Sequence, residues 1–354
     1  MASGFDITQL VASLGAFHRT YAEELYSKLI NKEYSQKYFR TVAGVKDEYV
    51  ADEFMLSEIL QPYQKAWTPK GLVAFNPAII KARPIKVDIE FEPKDLEKTW
   101  EGKRIDGSLP EGQEFLESYI FDQIIAKIKK EIEYKVAYTG IYKAPTPGTP
   151  GLAEDSADGL LTVVNAGITA GTIEDVATGV IDETNAIDSL EAVYDIVDDE
   201  FKDGELIALV DGAVARAYKR DYRNAYGPNQ DYSPMSKEGG EFYIDGTNCK
   251  VVVAPGMTGT GRVIITIPEN LIRVIDGTEE DSNFNVRFQV NRRIIDTLAD
   301  FKMGWGFGVT QGLVWANTDP GGGALLAARK NRSKTVKRTV TKAEEKPVKE
   351  EVAV

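Results

Sequence analysis

Leu116, Ile120, Ile124, Ile128 and Ile132 recur at four-residue intervals, and Phe121 and Ile125 widen the stripe. That spacing lays an apolar face along a helix and leaves Lys127, Lys129, Lys130 and Glu133 on the other side. Pro110 suits a first turn, Ser108 stands upstream as a capping residue, and Glu111 and Glu114 suit the positive end of the helix dipole. The pattern predicts a helix over 110–138, ending near Gly140. About 28 residues at ~1.5 Å each make a rod of roughly 40 Å, longer than a small domain is wide. Other elements must therefore be strung along it as along a spine.

The run Lys143-Ala144-Pro145-Thr146-Pro147-Gly148-Thr149-Pro150-Gly151 excludes helix and central strand. Residues 143–154 thus read as a connector between 110–142 and a second module, as the length of 354 residues allows. That module, 155–283, reads as α/β. Residues 187–201 are expected to be one helix with Leu190, Val193, Tyr194 and Val197 inward. The run 206–210 is a short, wholly apolar strand, and Asp211 starts a helix to about 226. Strands at 242–244, 251–254, 263–267 and 271–275 follow, separated by turn signals. Within 284–320, two long alternating strands are expected to return to the first module. Residues 321–354 form a tail.

Upstream of the spine, 46–109 changes character. Ile85, Val87, Ile89 and Phe91 alternate with Lys86, Asp88, Glu90 and Glu92, the period of a half-solvated strand. Apolar residues from Val50 to Leu60 precede a break at Pro62, and 71–77 again has β character. Residues 1–45 read as an N-terminal arm, helical in part, with Leu25, Leu29 and Ile30 on one face and glycines at 4, 15 and 44 interrupting it. Such an arm cannot bury its own apolar side chains. It needs a partner surface, either the body or a neighbour.

The apparatus of catalysis is sparse. The chain has one histidine, His18, and one cysteine, Cys249. That excludes an intrachain disulfide, a cysteine-rich zinc site and a two-histidine metal centre. His18 reads as a partly exposed helix residue. The loop Gly256-Met257-Thr258-Gly259-Thr260-Gly261-Arg262 has a phosphate-cradle look, but it precedes a strand rather than a helix, so it reads as a glycine-rich hairpin turn. Gly304, Gly306 and Gly308 lie in a strand pattern, which reads as a sheet face kept bare for close approach of another surface. Asp195, Asp198, Asp199, Glu200, Asp203 and Glu205 lack calcium-loop spacing and read as a solvated face, with a divalent cation or a neighbour's basic arm as the alternatives. No catalytic, cofactor-binding or metal-ligating residue is assigned. The expectation is a building or binding protein rather than an enzyme.

No run approaches the ~18 apolar residues of a membrane span. The first ten residues hold no lysine or arginine, so no secretory signal is expected. The net charge of −13 is uneven: nine basic and four acidic residues from 329 onward make the tail +5 and leave −18 on 1–328. An acidic body repels polyanions. The tail reads as a solubilising extension, a weak contact to nucleic acid, or a contact to the acidic body of another copy.

The order of arm, half-solvated β excursion, spine helix, Pro/Gly connector, α/β module and returning strands resembles the major capsid proteins of tailed bacteriophages, whose fold encapsulins and herpesvirus capsid floors share. The segment from Ile294-Ile295-Asp296-Thr297-Leu298-Ala299-Asp300-Phe301 through Lys302-Met303-Gly304-Trp305-Gly306-Phe307-Gly308-Val309 is similar to the closing region of phage coat proteins. The resemblance implies an α+β fold with a peripheral domain built on the spine helix (110–142) and strands 284–320, and an axial domain at 155–283. It also implies an extended loop within 46–109 reaching over a neighbouring subunit. It implies self-assembly into hexamers and pentamers of an icosahedral virion shell, formed in the host cytoplasm around double-stranded DNA, with separate scaffold, portal and decoration proteins as partners and no cofactor. No cleaved scaffolding segment is visible, so the resemblance implies a separate scaffold, or none. Lys65 and Lys70 lie in the region where some members crosslink a loop lysine to an asparagine, with no residue-level motif for it here. An encapsulin-like compartment, a carboxylate-dependent glycoside hydrolase, and a tail-tube or adhesin component are the alternatives.

Overall fold

The computed structural model describes residues 7–318 apart from 31–33, 52–53, 57–58, 72, 76, 93–115, 228–240, 278–284 and 292–293. The arm is α1 (Ile7–Ile30), which runs helically through Gly15 and kinks instead at Tyr21 (φ −114°, ψ 19°). Its Leu10, Leu14, Leu25 and Leu29 are buried in the main core, so the body itself supplies the surface this part of the arm needs. A tight turn at Tyr34–Tyr38 leads into β1 (Arg40–Val42). The chain then runs out and back. β2 (Glu48–Ala51) pairs antiparallel with β5 (Ala78–Lys81), and β3 (Phe54–Leu56) with β4 (Val73–Phe75). β6 (Arg83–Phe91) follows and alternates half-buried with exposed along its nine residues, as its sequence period predicts.

The spine is α2 (Leu116–Glu131), with Ile120, Phe121, Ile125 and Ile128 buried. Residues 110–115 and the expected capping residues lie outside the described residues. After Glu131 the helix widens into one π-helical turn, Ile132–Val136. This corrects the placement of Glu133, expected on the solvated face with the lysines: it is 1% exposed. A π turn holds more residues than an α turn, so each residue advances by a smaller angle, and Ile132 and Glu133 both stay on the inner face.

The second module contains α3 (Leu160–Ala170), β7 (Glu174–Val176), α4 (Ala186–Asp195), α5 (Asp199–Lys202), β8 (Leu206–Val210), α6 (Gly212–Tyr226), β9 (Phe242–Tyr243), β10 (Cys249–Val253) and β11 (Val263–Thr266). The single helix expected over 187–201 is broken, because Asp198 takes an extended backbone (φ −58°, ψ 136°) between α4 and α5. Leu190, Val193 and Val197 are nevertheless buried. β8 lies between parallel β10 and antiparallel β11. Its alternate residues enter two cores: Ile207 and Leu209 face the spine side, and Leu206, Ala208 and Val210 face α4 and α6. Burial on both faces is why its sequence is apolar without alternation.

β12 (Leu271–Ile275) leaves this sheet to pair with β1 and with β14 (Ile294–Phe307), which also pairs with β13 (Asn285–Asn291) and β6. β15 (Val314–Asn317) returns to the six-stranded sheet, whose order is β7-β15-β11-β8-β10-β9. Two short strands thus cross the boundary that the sequence placed at 283–284. Asn270 pins the crossing. Its amide Nδ2 donates to the Val309 carbonyl at 2.8 Å and its Oδ1 accepts from the Val309 amide at 2.7 Å. Its own carbonyl accepts from the Gly308 amide at 3.0 Å.

β14 organises the five-stranded sheet. Met303 pairs with Arg83 of β6 and with Ile275 of β12, so these two strands lie on opposite edges of β14. Beyond that point the bare face expected at Gly304, Gly306 and Gly308 is present, and β5 covers part of it. A Cβ at Gly304 would lie 2.2 Å from the Lys81 carbonyl oxygen, and one at Gly306 would lie 2.8 Å from Ile80 Cγ1. Ile80, Ala82, Ile272 and Val274 form a small core beneath this crossing. Gly304→Ala is therefore expected to cost about 1–3 kcal/mol in urea unfolding. Gly151→Ala, where an added methyl meets nothing within 4 Å, is expected to stay within about 0.5 kcal/mol of the parent.

Candidate functional site

The end of the β excursion is a small closed loop. Gln61 Nε2 donates to the Thr68 carbonyl at 2.7 Å, Thr68 Oγ1 donates to Gln61 Oε1 at 3.2 Å, and Lys70 Nζ donates to the Leu60 carbonyl at 2.7 Å. These bonds pinch the neck of the loop. Outside it, Leu60 is 81% exposed, Tyr63 92% and Trp67 90%. Between 59 and 71 there are two lysines, Lys65 and Lys70, and no acid. The result is a pre-shaped aromatic knuckle with a positive edge, carried away from a negatively charged body. Large side chains in a fixed loop lose little freedom when covered, which is what makes efficient anchors of an interface.

A second construction joins the arm to the body. At the π turn, Glu133 accepts from Ser35 Oγ and from Gln36 Nε2, the latter at 3.0 Å. Tyr138 OH donates to Ser35 Oγ at 2.5 Å, and Trp305 Nε1 of β14 donates to Gln36 Oε1 at 3.0 Å. Burial pushes the Glu133 carboxyl up from its ordinary value, against the hydrogen bonds from Ser35 and Gln36, which favour the charged form. Next to it, Glu241 accepts from Tyr38 OH and forms ion pairs with Lys37 at 2.5 Å and Lys250 at 2.8 Å. Hydrogen bonds from Lys250, Lys37 and Tyr38 hold its carboxyl down, at about 2.

The glycine loop has a different job from the one its sequence suggests. It is not a hairpin turn: it joins β10 to β11 across β8, which lies between them. Its cradle holds a carboxylate of this same chain. Asp211, 1% exposed, accepts at Oδ2 from the amides of Gly259 (2.7 Å) and Gly261 (3.1 Å). At Oδ1 it accepts from Ala213 at 2.9 Å as the N-cap of α6. Gly259 and Gly261 have φ of +80° and +64°, which aims both amides at one oxygen. Gly256 lets the loop touch the spine, since a Cβ there would sit 2.1 Å from the Glu133 carbonyl oxygen.

The other residues that the sequence singles out are dispersed. His18 is half-buried in α1 and stacks on Phe121 with ring centroids 6.0 Å apart. Cys249 is buried in β10, and burial pushes its thiol up to about 12. Asp195, Asp198, Asp199, Glu200, Asp203 and Glu205 are all exposed, and Lys202 pairs with Asp199 at 2.8 Å. Among the described residues no group of histidine, cysteine, aspartate and glutamate could hold a metal ion, and no helix is long and apolar enough to cross a membrane. The basic tail lies outside the described residues. Sequence reasoning placed Asp211 at the start of α6, as found, but missed the Glu133 junction and the hold of Asp211 on the glycine loop. A weak signal existed for the second: an aspartate directly after a wholly apolar strand, with two glycines two residues apart further on.

No family model and no curated protein matches this chain. Solved structures do. A chain of the satellite phage P4 procapsid, in a structure that includes the size determination (Sid) protein, superposes with TM-score 0.54 at 12% identity, over 90% of this chain and 92% of that one. A chain from the capsid of a native GTA particle superposes with TM-score 0.51 at 10% identity, over 81% of this chain and 96% of that one. At such identities the likeness is one of fold: the chain has the α+β fold of phage capsid proteins.

Asp211→Ala leaves three amides without their acceptor and is expected to cost at least about 2 kcal/mol in urea unfolding. Asp211→Asn keeps an acceptor for Ala213 but turns an amide donor toward Gly259 and Gly261, and is expected to fall close to the alanine variant. For Glu241, the folded-state value lies below the ordinary 4.5, so its stabilisation is present above pH 4.5 and lost as pH falls toward about 2. The gap in melting temperature between the parent and Glu241→Gln should therefore narrow steadily over that window. A gap independent of pH would show that the cluster is not held by charge.

Proposed function

We propose that this chain is a shell subunit, the major capsid protein of a tailed bacteriophage, which self-assembles into an icosahedral container for double-stranded DNA. The observation that carries the reading is the knuckle at 59–71, where Leu60, Tyr63 and Trp67 are held almost wholly exposed by a loop that bonds to itself. Three large apolar side chains fixed in that way serve an interface, not a monomer. The fold shared with the P4 procapsid and GTA capsid chains supports the same reading.

In this reading residues 46–109 carry the loop that lies across a neighbouring subunit. The spine helix and the sheet built on β14 form the peripheral domain, and most of 155–283 forms the axial domain around five-fold and six-fold centres. Hexamers and pentamers of the chain make the wall, with separate scaffold, portal and decoration proteins. The charge of −18 on 1–328 keeps packaged DNA from adhering to the wall, because both are negative. The tail of +5 makes at most weak contacts with it. The task is assembly rather than turnover, and the site of action is the virion, put together in the host cytoplasm.

Purified protein, alone or with its scaffold, is expected to form closed particles of hundreds of subunits, seen by electron microscopy and sedimentation. Trp67→Ala and Tyr63→Ala should each lower the particle yield at least tenfold, the order of a hot-spot loss of about 1.4 kcal/mol or more. The circular dichroism and unfolding midpoint of the unassembled chain should stay unchanged. Tubes or fibres instead of shells would select a tail or adhesin component. A monomer under all assembly conditions would sink the proposal.

A further inference from the structure

β6 pairs with β14 along one edge, from Arg83 opposite Met303 to Phe91 opposite Ile295. Among the described residues no strand pairs with its other edge. A strand in that position turns every second N–H and C=O away from its sheet, which makes it a template for one more strand. Pro84 has no N–H to offer and blunts the Arg83 end. From Ile85 to Phe91 every residue has one. The charges along this edge call for a cation. Lys86, Asp88 and Glu90 stand exposed on one face of β6, and Glu92 continues the row. Asp296 of β14 lies directly opposite Glu90, and Asp300 opposite Lys86. Cross-strand partners share a face, and like charges so placed repel. Of the cations in register on this face, Lys86 pairs with Asp88 at 2.7 Å and Lys302 with Asp276 at 3.8 Å. Arg287 belongs to β13, across β14 from β6. That leaves the Glu90 end acidic among the described residues.

The chain contains a segment of matching length and opposite sign. Lys334-Thr335-Val336-Lys337-Arg338-Thr339-Val340-Thr341-Lys342 has nine residues, five of them β-branched, and no acid. Lys334, Arg338 and Lys342 share one parity, so a strand here puts three of its four cations on one face. The segment lies outside the described residues. The intervening residues 319–333 can span about 50 Å when extended, comparable with the width of a body of this size. We propose that residues 334–342 add to the open edge of β6 in the same chain as a further strand, with Lys334, Arg338 and Lys342 on the face of Glu90, Glu92 and Asp296. Backbone pairing holds such a strand, and the charges select it. Tethering raises its local concentration to millimolar order, so a weak pairing suffices. The chain thereby covers an edge that could otherwise join two copies side by side. The inference concerns the single chain and stands whether or not shells form.

Hydrogen exchange of β6 in the full chain, over a dilution series in which sedimentation shows single subunits, tests it. The alternate amides of 85–91 that β14 leaves unbonded should exchange at least tenfold more slowly in the parent than in a variant carrying Val336→Pro and Thr339→Pro. Those two prolines keep the charge and have opposite parity, so one of them denies an amide to the ladder whichever way the strand faces. Exchange in β8 and β10 should not change. Arg338→Glu should also release the edge, and adding Glu90→Lys to it should restore protection, a rescue that a merely solubilising tail would not give. Fast exchange of these amides in the parent, protection untouched by the prolines, or no rescue would overturn the proposal. So would protection that grows with protein concentration, which would assign the edge to a neighbouring copy.

Discussion

Backbone pairing along β14 is the constraint on which this architecture rests. A strand of fourteen residues presents two edges of amides and carbonyls that must be satisfied, and no single neighbouring segment supplies enough partners. β13 precedes it as a local antiparallel partner, but β6 comes from roughly two hundred residues upstream and β12 from the segment that follows β11 of the other sheet. Closing β14 therefore draws the β excursion, the α/β module and the return segment into one body. The glycines at 304 and 306 let β5 cross over its end, so the root of the exposed excursion is fastened to the strand everything else depends on. Pairings this distant in sequence are slow to form, because loop closure precedes any gain.

Polar groups then fix the geometry that burial alone leaves loose. Asn270 ties the two sheets where the chain crosses between them. Asp211 fastens the β10–β11 crossover to the start of α6. Glu133 gathers the arm, the spine and β14 around one carboxyl. Each is buried and bonded to specific backbone or side-chain partners, so displacing any one leaves a desolvated donor or acceptor behind. Gly256 links two of these devices, because the loop clasped by Asp211 rests directly on the π turn that carries Glu133. The outer knuckle has the opposite character. Its hydrogen bonds are exposed and local, and they hold three large apolar side chains in solvent.

This division suits the shell role proposed for the chain. A wall of many copies needs a rigid body so that angles between neighbours are reproduced. It also needs attachment points that gain their burial only on assembly. Under the proposed shell role, the two cores would supply the first, and the excursion and its knuckle the second. The arm belongs to the body more than its sequence suggests: its helix spends its leucines on the main core, and its exit is held by a buried carboxyl.

Periodicity settled much of this in advance. The four-residue stripe, the two-residue alternation from Ile85 to Phe91 and the apolar run 206–210 each determined a local structure and the face it buries, because spacing acts on the residues nearest along the chain. The bare glycine face was legible for the same reason, though not the strand that would cover it. Sheet membership was not legible: nothing in Leu271–Ile275 or Val314–Asn317 marks the sheet it joins, and they lie in different ones. Glu133 read as a surface residue because an α-helical period was extended through a turn that is π, a choice made by the elements packed around it. Local pattern thus determined which elements form, whereas partner, register and the burial of a single carboxyl were decided by long-range packing, where contacts far apart in sequence compete and the best-satisfied set of hydrogen bonds prevails.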